Sequence, residues 1–436
     1  FTTWVIYVNI AIYATCYQIQ RPLEPFLVEQ LKKQQADGGD GAVEYARLQS
    51  FFSIMQTVGS LLSGRLLDKF GVKGGFVLSF LASAMCYGIL SQAHSMELLY
   101  YSKIPTIFQA GFLSAQAAIS QFTADGPDRA KALGMLTMSY TVGSVLGPTI
   151  GGLIGASGDY YFGAKIAVVG SLLSIVLTVL FIHDEKPKKT ENGEKTQDNQ
   201  VTNPCQPEST LTIYEAILRA VWVLLASKVI SSVANAMHQA IFPLVLKNQF
   251  GFTEKALGMT MSASSFLNAI VNGIFLGQLV DLFHGELSSL ISYCVFGLVA
   301  TAVLQGICAL PTFVLIHPTL SVYSYLGACY LASTCQFVLG TTLTGESTSL
   351  VKNEHKGSLL GLEHALFAFA RVGAPQVGVY VLLALGEYGL TGVSLVMAGI
   401  YEVVLLLLQF KFTRKSIGIK VAAGTSEKIS VERKEK

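Results

Sequence analysis

Gly64-Arg65-Leu66-Leu67-Asp68-Lys69-Phe70-Gly71-Val72-Lys73 is a short charged stretch, punctuated by glycine, between two long apolar runs. Residues 45–63 (YARLQSFFSIMQTVGSLLS) precede it and residues 75–93 (GFVLSFLASAMCYGILSQA) follow it. A helix rises about 1.5 Å per residue, so roughly 20 apolar residues cross the hydrocarbon core of a bilayer. Both runs are long enough. The stretch is therefore predicted to be the tight turn of a membrane hairpin. Lys69 and Lys73 place that turn in the cytosol, where short loops carry the Lys/Arg excess. Gly64 and Gly71 permit close approach and tight turning, and Asp68 offers a carboxylate at the membrane surface.

The composition of the whole chain agrees. Of its 436 residues 51% are hydrophobic and only 13% charged, with a mean hydropathy of +0.51. Soluble domains carry about 25% charged residues, so most of this surface faces something other than water, and the lipid bilayer is its expected partner. The net charge is +2, and the basic residues lie in loops and tail instead of along one stripe, so no nucleic-acid partner is expected. The cysteines at 16, 86, 205, 294, 308, 329 and 335 show no paired spacing. They read as reduced packing residues, not as staples or metal ligands. There is no phosphate-cradling G-x-x-x-x-G-K-[ST] and no nucleophile elbow, so neither an ATP-driven pump nor an enzyme is supported, and no cofactor is expected. Phe1 already lies in a helix-like run, so the natural N-terminus is expected upstream.

Apolar runs of suitable length number roughly twelve. They fall near 2–29, 45–66, 75–93, 97–121, 133–156 and 162–183, then 219–246, 255–279, 288–311, 321–348, 358–385 and 391–412. The fold class expected is an all-α membrane protein of two pseudo-symmetric six-helix bundles. Residues 1–183 form the first bundle, 184–212 a hydrophilic cytosolic linker, 213–412 the second bundle and 413–436 a basic cytosolic tail. Residues 211–219 could add a short interfacial helix. With the N-terminus inside, the cytosolic loops and tail hold about nineteen Lys/Arg against about five outside, and both termini are cytosolic.

The halves repeat each other. Gly64-x-Leu66-x-Asp68-x-Phe70 recurs as Gly277-x-Leu279-x-Asp281-x-Phe283. Leu133-Gly134 with Gly147-Pro148-x-x-Gly151 recurs, at one constant offset, as Leu360-Gly361 with Ala374-Pro375-x-x-Gly378. Pro25 and Pro243 are read as closing the first helix of each half. Parallel six-helix repeats imply a polar site at mid-depth between them.

The loop G-x-L-x-D-x-x-G-x-K, placed between two spans, resembles the signature of the major facilitator superfamily. Gly143-x-x-x-Gly147-Pro148-x-x-Gly151-Gly152 on the fifth helix resembles the motif of that superfamily's drug:proton antiporters; tight helix packing is the plain reading of the same residues. Residues 47–152 further resemble the organic-cation-transporter-like orphan carriers. The resemblance implies a monomeric secondary transporter that exchanges a small organic solute for protons by alternating access. A facilitative uniporter and a non-transporting sensor of the same fold are the alternatives. It also implies that Asp68 latches the halves, with Gly64, Gly71, Lys73, Gly147, Pro148, Gly151 and Asp281 serving the movement.

Charged residues inside spans are costly and point to function. Glu24 on the first helix and Lys103, about 9 Å into the fourth, match in kind the acidic proton carrier and the cation that the resemblance implies. Burial favours the neutral acid and the cation favours the carboxylate. Arg21 and Glu24 could equally be a surface pair three residues apart. Lys228, about 12 Å into the seventh helix, could pair with Glu346 on the tenth as a gate, or snorkel to the headgroups. Arg371, about 20 Å into the eleventh, is too deep to snorkel; it binds an anionic group or neutralises a carboxylate. Gln20, Arg21, Gln109, Gln116, Tyr140, Asn235, His238, Gln239 and Gln336 complete the candidate solute site, although each alone is more often a helix–helix contact. Glu363 and His364 read as a cap on helix eleven, and Glu402 has no evident partner.

Overall fold

A computed structural model describes the backbone of residues 2–34, 40–122, 127–182, 210–283, 287–351 and 356–432. For residues 127–131, 210–220 and 411–432, and for several single positions including Gly64, Arg65 and Asp68, only the backbone is described. Most of the expected linker, 184–212, and Cys205 therefore lie outside the described residues, as does the side chain of Asp68.

Every described element is helical. The long helices are α1 (Thr2–Gln34), α2 (Gly41–Leu90), α3 (Met96–Lys103), α4 (Gly111–Phe122), α5 (Pro127–Gly155), α6 (Phe162–Phe181) and α7 (Thr210–Asn248). They continue as α8 (Glu254–Ile270), α9 (Leu276–Leu282), α10 (Leu287–Cys308), α11 (Pro311–Ile316), α12 (Pro318–Ser349), α13 (Lys356–Ala384) and α14 (Gly389–Glu432). Among the described residues, eight stretches are long and apolar enough to cross a membrane. α1 is not one of them. This is an all-helical membrane protein.

Several boundaries differ from those read in the sequence, each for a local reason. Between the two spans of α2 the expected turn narrows to a single break at Gly71, with φ 68° and ψ 178°. Only glycine adopts that conformation without cost. The fourth span is split into α3, a 3₁₀ turn at Ile104–Phe108, and α4. Pro105 has no N–H to donate and its ring clashes with the preceding turn; Gln56 Nε2 donates to the Thr106 carbonyl of the 3₁₀ turn at 3.2 Å. The eighth span breaks at a π-turn, Val271–Phe275, between α8 and α9. Pro25 and Pro243 do not close their helices but lie inside α1 and α7, where the carbonyls deprived of a partner are those of Arg21 and Gln239. The interfacial helix expected at 211–219 is the start of α7, and α14 carries helical backbone through the expected tail to Glu432. Glu363 is not at a helix start either: it is buried on the second turn of α13.

The chain packs as two compact units. The first comprises Phe1–Tyr214, Ala236–Gly273 and Gly361–Tyr380; the second comprises Glu215–Asn235, Ile274–Leu360 and Val381–Lys436. In the second, α10 packs on α12 and α14, burying Leu290, Ile291, Val295 and Leu298.

In the first unit, α1 lies along α5 and α5 along α8. Glycines make both seams possible. A Cβ on Gly143 would fall 2.5 Å from that of Ala14, one on Gly147 2.5 Å from that of Gln18, and one on Gly151 2.2 Å from the Ile19 carbonyl oxygen. Spaced four apart, these three form one ridge toward α1. Gly152 faces the other way, where its Cβ would sit 2.6 Å from the Glu254 carbonyl oxygen; Gly258 of α8 returns the contact at 2.3 Å from that of Pro148. The plain packing reading of this motif is thus fully satisfied by two interfaces. Beside it an apolar cluster of Ile6, Ile10, Phe76, Phe80, Ile119 and Leu136 fills the space between α1, α2, α4 and α5.

Candidate functional site

The first unit holds a cavity, partly open to its surroundings and lined from α1, α2, α3, the Ile104–Phe108 turn, α7, α8 and α13. Its charged lining residues are Arg21, Glu24, Lys103 and Arg371.

Glu24 and Lys103 meet there. Their side chains are each 11% exposed and form an ion pair between the third turn from the end of α1 and the last residue of α3. Lys103 gains from its position, since cations are favoured at a helix C-terminus. The second carboxylate oxygen of Glu24 accepts from Gln49 Nε2 at 2.6 Å, and the ammonium lies 5.6 Å from the centre of the Phe52 ring. Both oxygens of the acid are therefore held. The alternative of an Arg21–Glu24 surface pair does not arise: Arg21 donates instead to Gln239 Oε1 at 3.1 Å and to Gln18 Oε1 at 3.5 Å.

Arg371, on α13, has its guanidinium 5.6 Å from the Phe367 ring centre. Among the described residues no carboxylate pairs with Arg21 or Arg371. Gln20 and Gln109 also line the cavity. Gln109 donates to Ser83 Oγ at 2.9 Å, whereas the amide nitrogen of Gln20 is buried with no acceptor among the described residues.

The remaining expected site residues fall elsewhere. Tyr140 stacks edge-on against Phe112, with ring centres 5.4 Å apart, beside the apolar cluster. His238 packs its ring against Phe242, and neither these two nor Gln116 lines the cavity. Lys228, Asn235 and Gln336 belong to the second unit. There Lys228 donates to Thr344 Oγ1 at 2.5 Å, two residues before Glu346, and Gln336 keeps a buried oxygen without a donor among the described residues. Asp281 is exposed on α9, and Lys73 Nζ donates to the Val179 carbonyl at 3.0 Å. Glu402 points outward from α14. Among the described residues, no group of His, Cys, Asp or Glu could hold a metal ion.

A second polar assembly, not anticipated from the sequence, closes the neighbouring end of this unit. Lys247, near the end of α7, pairs with Glu29 and donates to the Pro25 carbonyl at 3.1 Å. Its ammonium stands 4.5 Å from the Phe26 ring centre, and Phe26 stacks on Tyr160 in the α5–α6 connection. Tyr160 in turn donates to Glu254 Oε1 at 2.7 Å. Burial, and then the bond to Glu254, push this phenol well above its usual range, so it stays a donor at any physiological pH. Two turns further along α8, Thr149 Oγ1 donates to Ser262 Oγ at 2.8 Å. Nothing in the sequence ties residues 26, 160 and 247 together. Lys247→Gln combined with Tyr160→Phe is expected to loosen this end. The check is the rate at which a water-soluble maleimide labels a cysteine introduced by Thr149→Cys, which should rise several-fold.

Membrane spans arranged about a charged cavity define a transporter. The chain belongs to the Major Facilitator Superfamily, whose family model matches residues 6–375. It is a secondary transporter of that superfamily and not an enzyme. Human Solute carrier family 67 member A1 is 27% identical over 92% of this chain and 90% of its own length. Mouse Solute carrier family 22 member 18 is 27% identical over 87% and 94%. Among solved structures, the human organic anion transporter MFSD10 covers 93% of this chain and 98% of its own at a TM-score of 0.65 and 16% identity, which shows the shared fold. The superfamily expected from the loop motif and the orphan-carrier kinship expected from residues 47–152 are both upheld. Tetracycline resistance proteins stand among the distant relatives, as class H of Pasteurella multocida does at 22% identity over 58% of this chain.

Proposed function

We propose that this protein moves a small organic solute by alternating access of its two halves, 1–183 and 213–412, in exchange for protons. In this reading both termini face the cytosol, and the protein works as a monomer in the plasma membrane or an endomembrane. The observation that carries the reading is the buried Glu24–Lys103 pair in the wall of the cavity. Glu24 is the acid in the cavity lining among the described residues, and solute or water entering the cavity changes both its surroundings and its pairing with Lys103. The α5 ridge of Gly143, Gly147 and Gly151, with Gly152 and Gly258 on the α8 side, lets α5 slide against its neighbours with no side chain in the way. Asp68 and its counterpart Asp281 act in this reading at the turns that latch and release the halves, together with Gly64, Gly71 and Lys73. Lys228 and Glu346 do so at a second gate, and Asn235, His238, Gln116, Tyr140 and Gln336 become solute contacts in other states of the cycle.

Co-transport is a second reading, favoured by the positive balance of the cavity lining: a proton on Glu24 adds to that balance and so helps any anion to bind. Purified protein in liposomes separates the readings. Uptake driven by a pH gradient acid on the trans side indicates exchange; uptake driven by a gradient acid on the cis side indicates co-transport. Glu24→Gln is expected to remove gradient dependence in either case. Gradient-independent uptake, unchanged in this variant, would replace both readings by a facilitative uniporter.

A further inference from the structure

We infer that the solute is an organic anion with an aromatic or apolar body, recognised by Arg21 and Arg371. The inference rests on the cavity being the transport site proposed above. The lining holds three cations and one acid, and Lys103 already neutralises Glu24. Two guanidinium groups remain. Arg21 is met only by the neutral amide oxygens of Gln18 and Gln239, and Arg371 by the face of Phe367, with no carboxylate on either among the described residues. A desolvated cation is costly unless an anion or water answers it. Two in one cavity repel each other, so an entering anion relieves that repulsion as well as making its own bonds. Guanidinium offers paired N–H donors that fit a carboxylate, sulfonate or phosphate bidentately. A cationic solute would face the opposite balance: Glu24 has both oxygens occupied by Lys103 and Gln49, and reaching it means displacing a buried ammonium.

The rest of the wall suits the other end of such a molecule. Tyr17 and Phe52 stand with ring centres 6.2 Å apart, and both line the cavity with Tyr45 and Tyr87. Aromatic faces of this kind bury a flat apolar body.

The test is direct binding, read without transport. Full-length protein purified in detergent is titrated with p-aminohippurate, an aromatic carboxylate, and 1-phenyl-4-methylpyridinium, a cation of similar size, and thermal stabilisation and labelled-ligand binding are recorded. The carboxylate is expected to bind and the pyridinium not. Arg371→Gln, with an unchanged melting temperature in the absence of ligand, should weaken p-aminohippurate at least tenfold; Arg371→Lys, which keeps the charge but not the fork, should fall between. Should Arg371→Gln unfold, Arg21→Gln takes its place with the same expectation. Preference for the pyridinium, carboxylate binding undiminished in both variants, or binding of neither probe would overturn the inference. If the anion binds as expected but no gradient drives it across a liposome, the transport reading fails while this one stands.

Discussion

Replacing Lys103 by methionine is expected to destabilise the protein severely, and replacing Glu24 by glutamine in the same chain is expected to restore most of the loss. Lys103 and Glu24 are both buried. Removing one member of such a pair leaves the other charge unanswered in a poorly solvated site, at a cost of about 3–5 kcal/mol. Removing both costs far less, because neither desolvated charge remains, and Gln49 can still donate to the amide oxygen put at position 24. Melting curves of the two single variants and the double variant make a thermodynamic cycle. A double variant no more stable than Lys103→Met would show that the two side chains are not one electrostatic unit. The double variant also separates folding from coupling. It should insert and melt cooperatively, yet show no response of uptake to a pH gradient, because its cavity wall no longer holds a carboxylate.

Gly151→Ala and Gly258→Ala should each be strongly destabilising. Their Cβ atoms would lie 2.2 Å from the Ile19 carbonyl oxygen and 2.3 Å from that of Pro148. Backbone atoms cannot rotate aside, so the helices have to part. Overpacking of this kind costs about 1–3 kcal/mol, and more where nothing yields. Gly88 and Gly134 are the controls. Neither would bring a Cβ within 4 Å of another group, and alanine there should be neutral or stabilising by up to about 1 kcal/mol, as helix propensity favours it over glycine. Melting temperatures of the four variants test the ordering. The two costly sites should also differ in kind. Gly151 braces α5 on α1 within one sequence half, so its loss should appear in folding. Gly258 braces α5 on α8, across the halves proposed to move, so its loss should appear in turnover as well.

These two seams show how far a sequence speaks for itself. The spacing of Gly143, Gly147, Gly151 and Gly152 announces that helices approach closely, because only the lack of a side chain explains such a run in a lipid-facing composition. It does not say which helices. That α1 takes one face and α8 the other depends on the angle between glycine positions around α5 and on what the rest of the chain brings alongside.

The cavity divides in the same way. Intramembrane charge made Arg21, Glu24, Lys103 and Arg371 legible, since no apolar span tolerates such residues without purpose. Gln49, Phe52, Tyr17 and Tyr45 were not singled out, because polar amides and aromatics are ordinary in membrane helices and gain meaning only from what they face. The clasp of Lys247, Glu29, Phe26, Tyr160 and Glu254 was silent for the same reason: its members come from four segments, and more than eighty residues separate Glu29 from Tyr160 and Tyr160 from Lys247. Tyr140 and His238 suggested a solute site by type, and packing placed them against Phe112 and Phe242. Helix ends were misread at Pro25 and Pro243, where the rule that proline stops a helix holds in water but gives way in a bilayer, since the chain has no better way to satisfy its backbone there. Hydropathy and charge, which act on single residues against their solvent, were determined by the sequence alone: a multi-pass helical transporter, with charges set where lipid would reject them. Which charge answers which, and which are left to bind a solute, was decided by tertiary structure, because pairing depends on distances that only the folded chain sets.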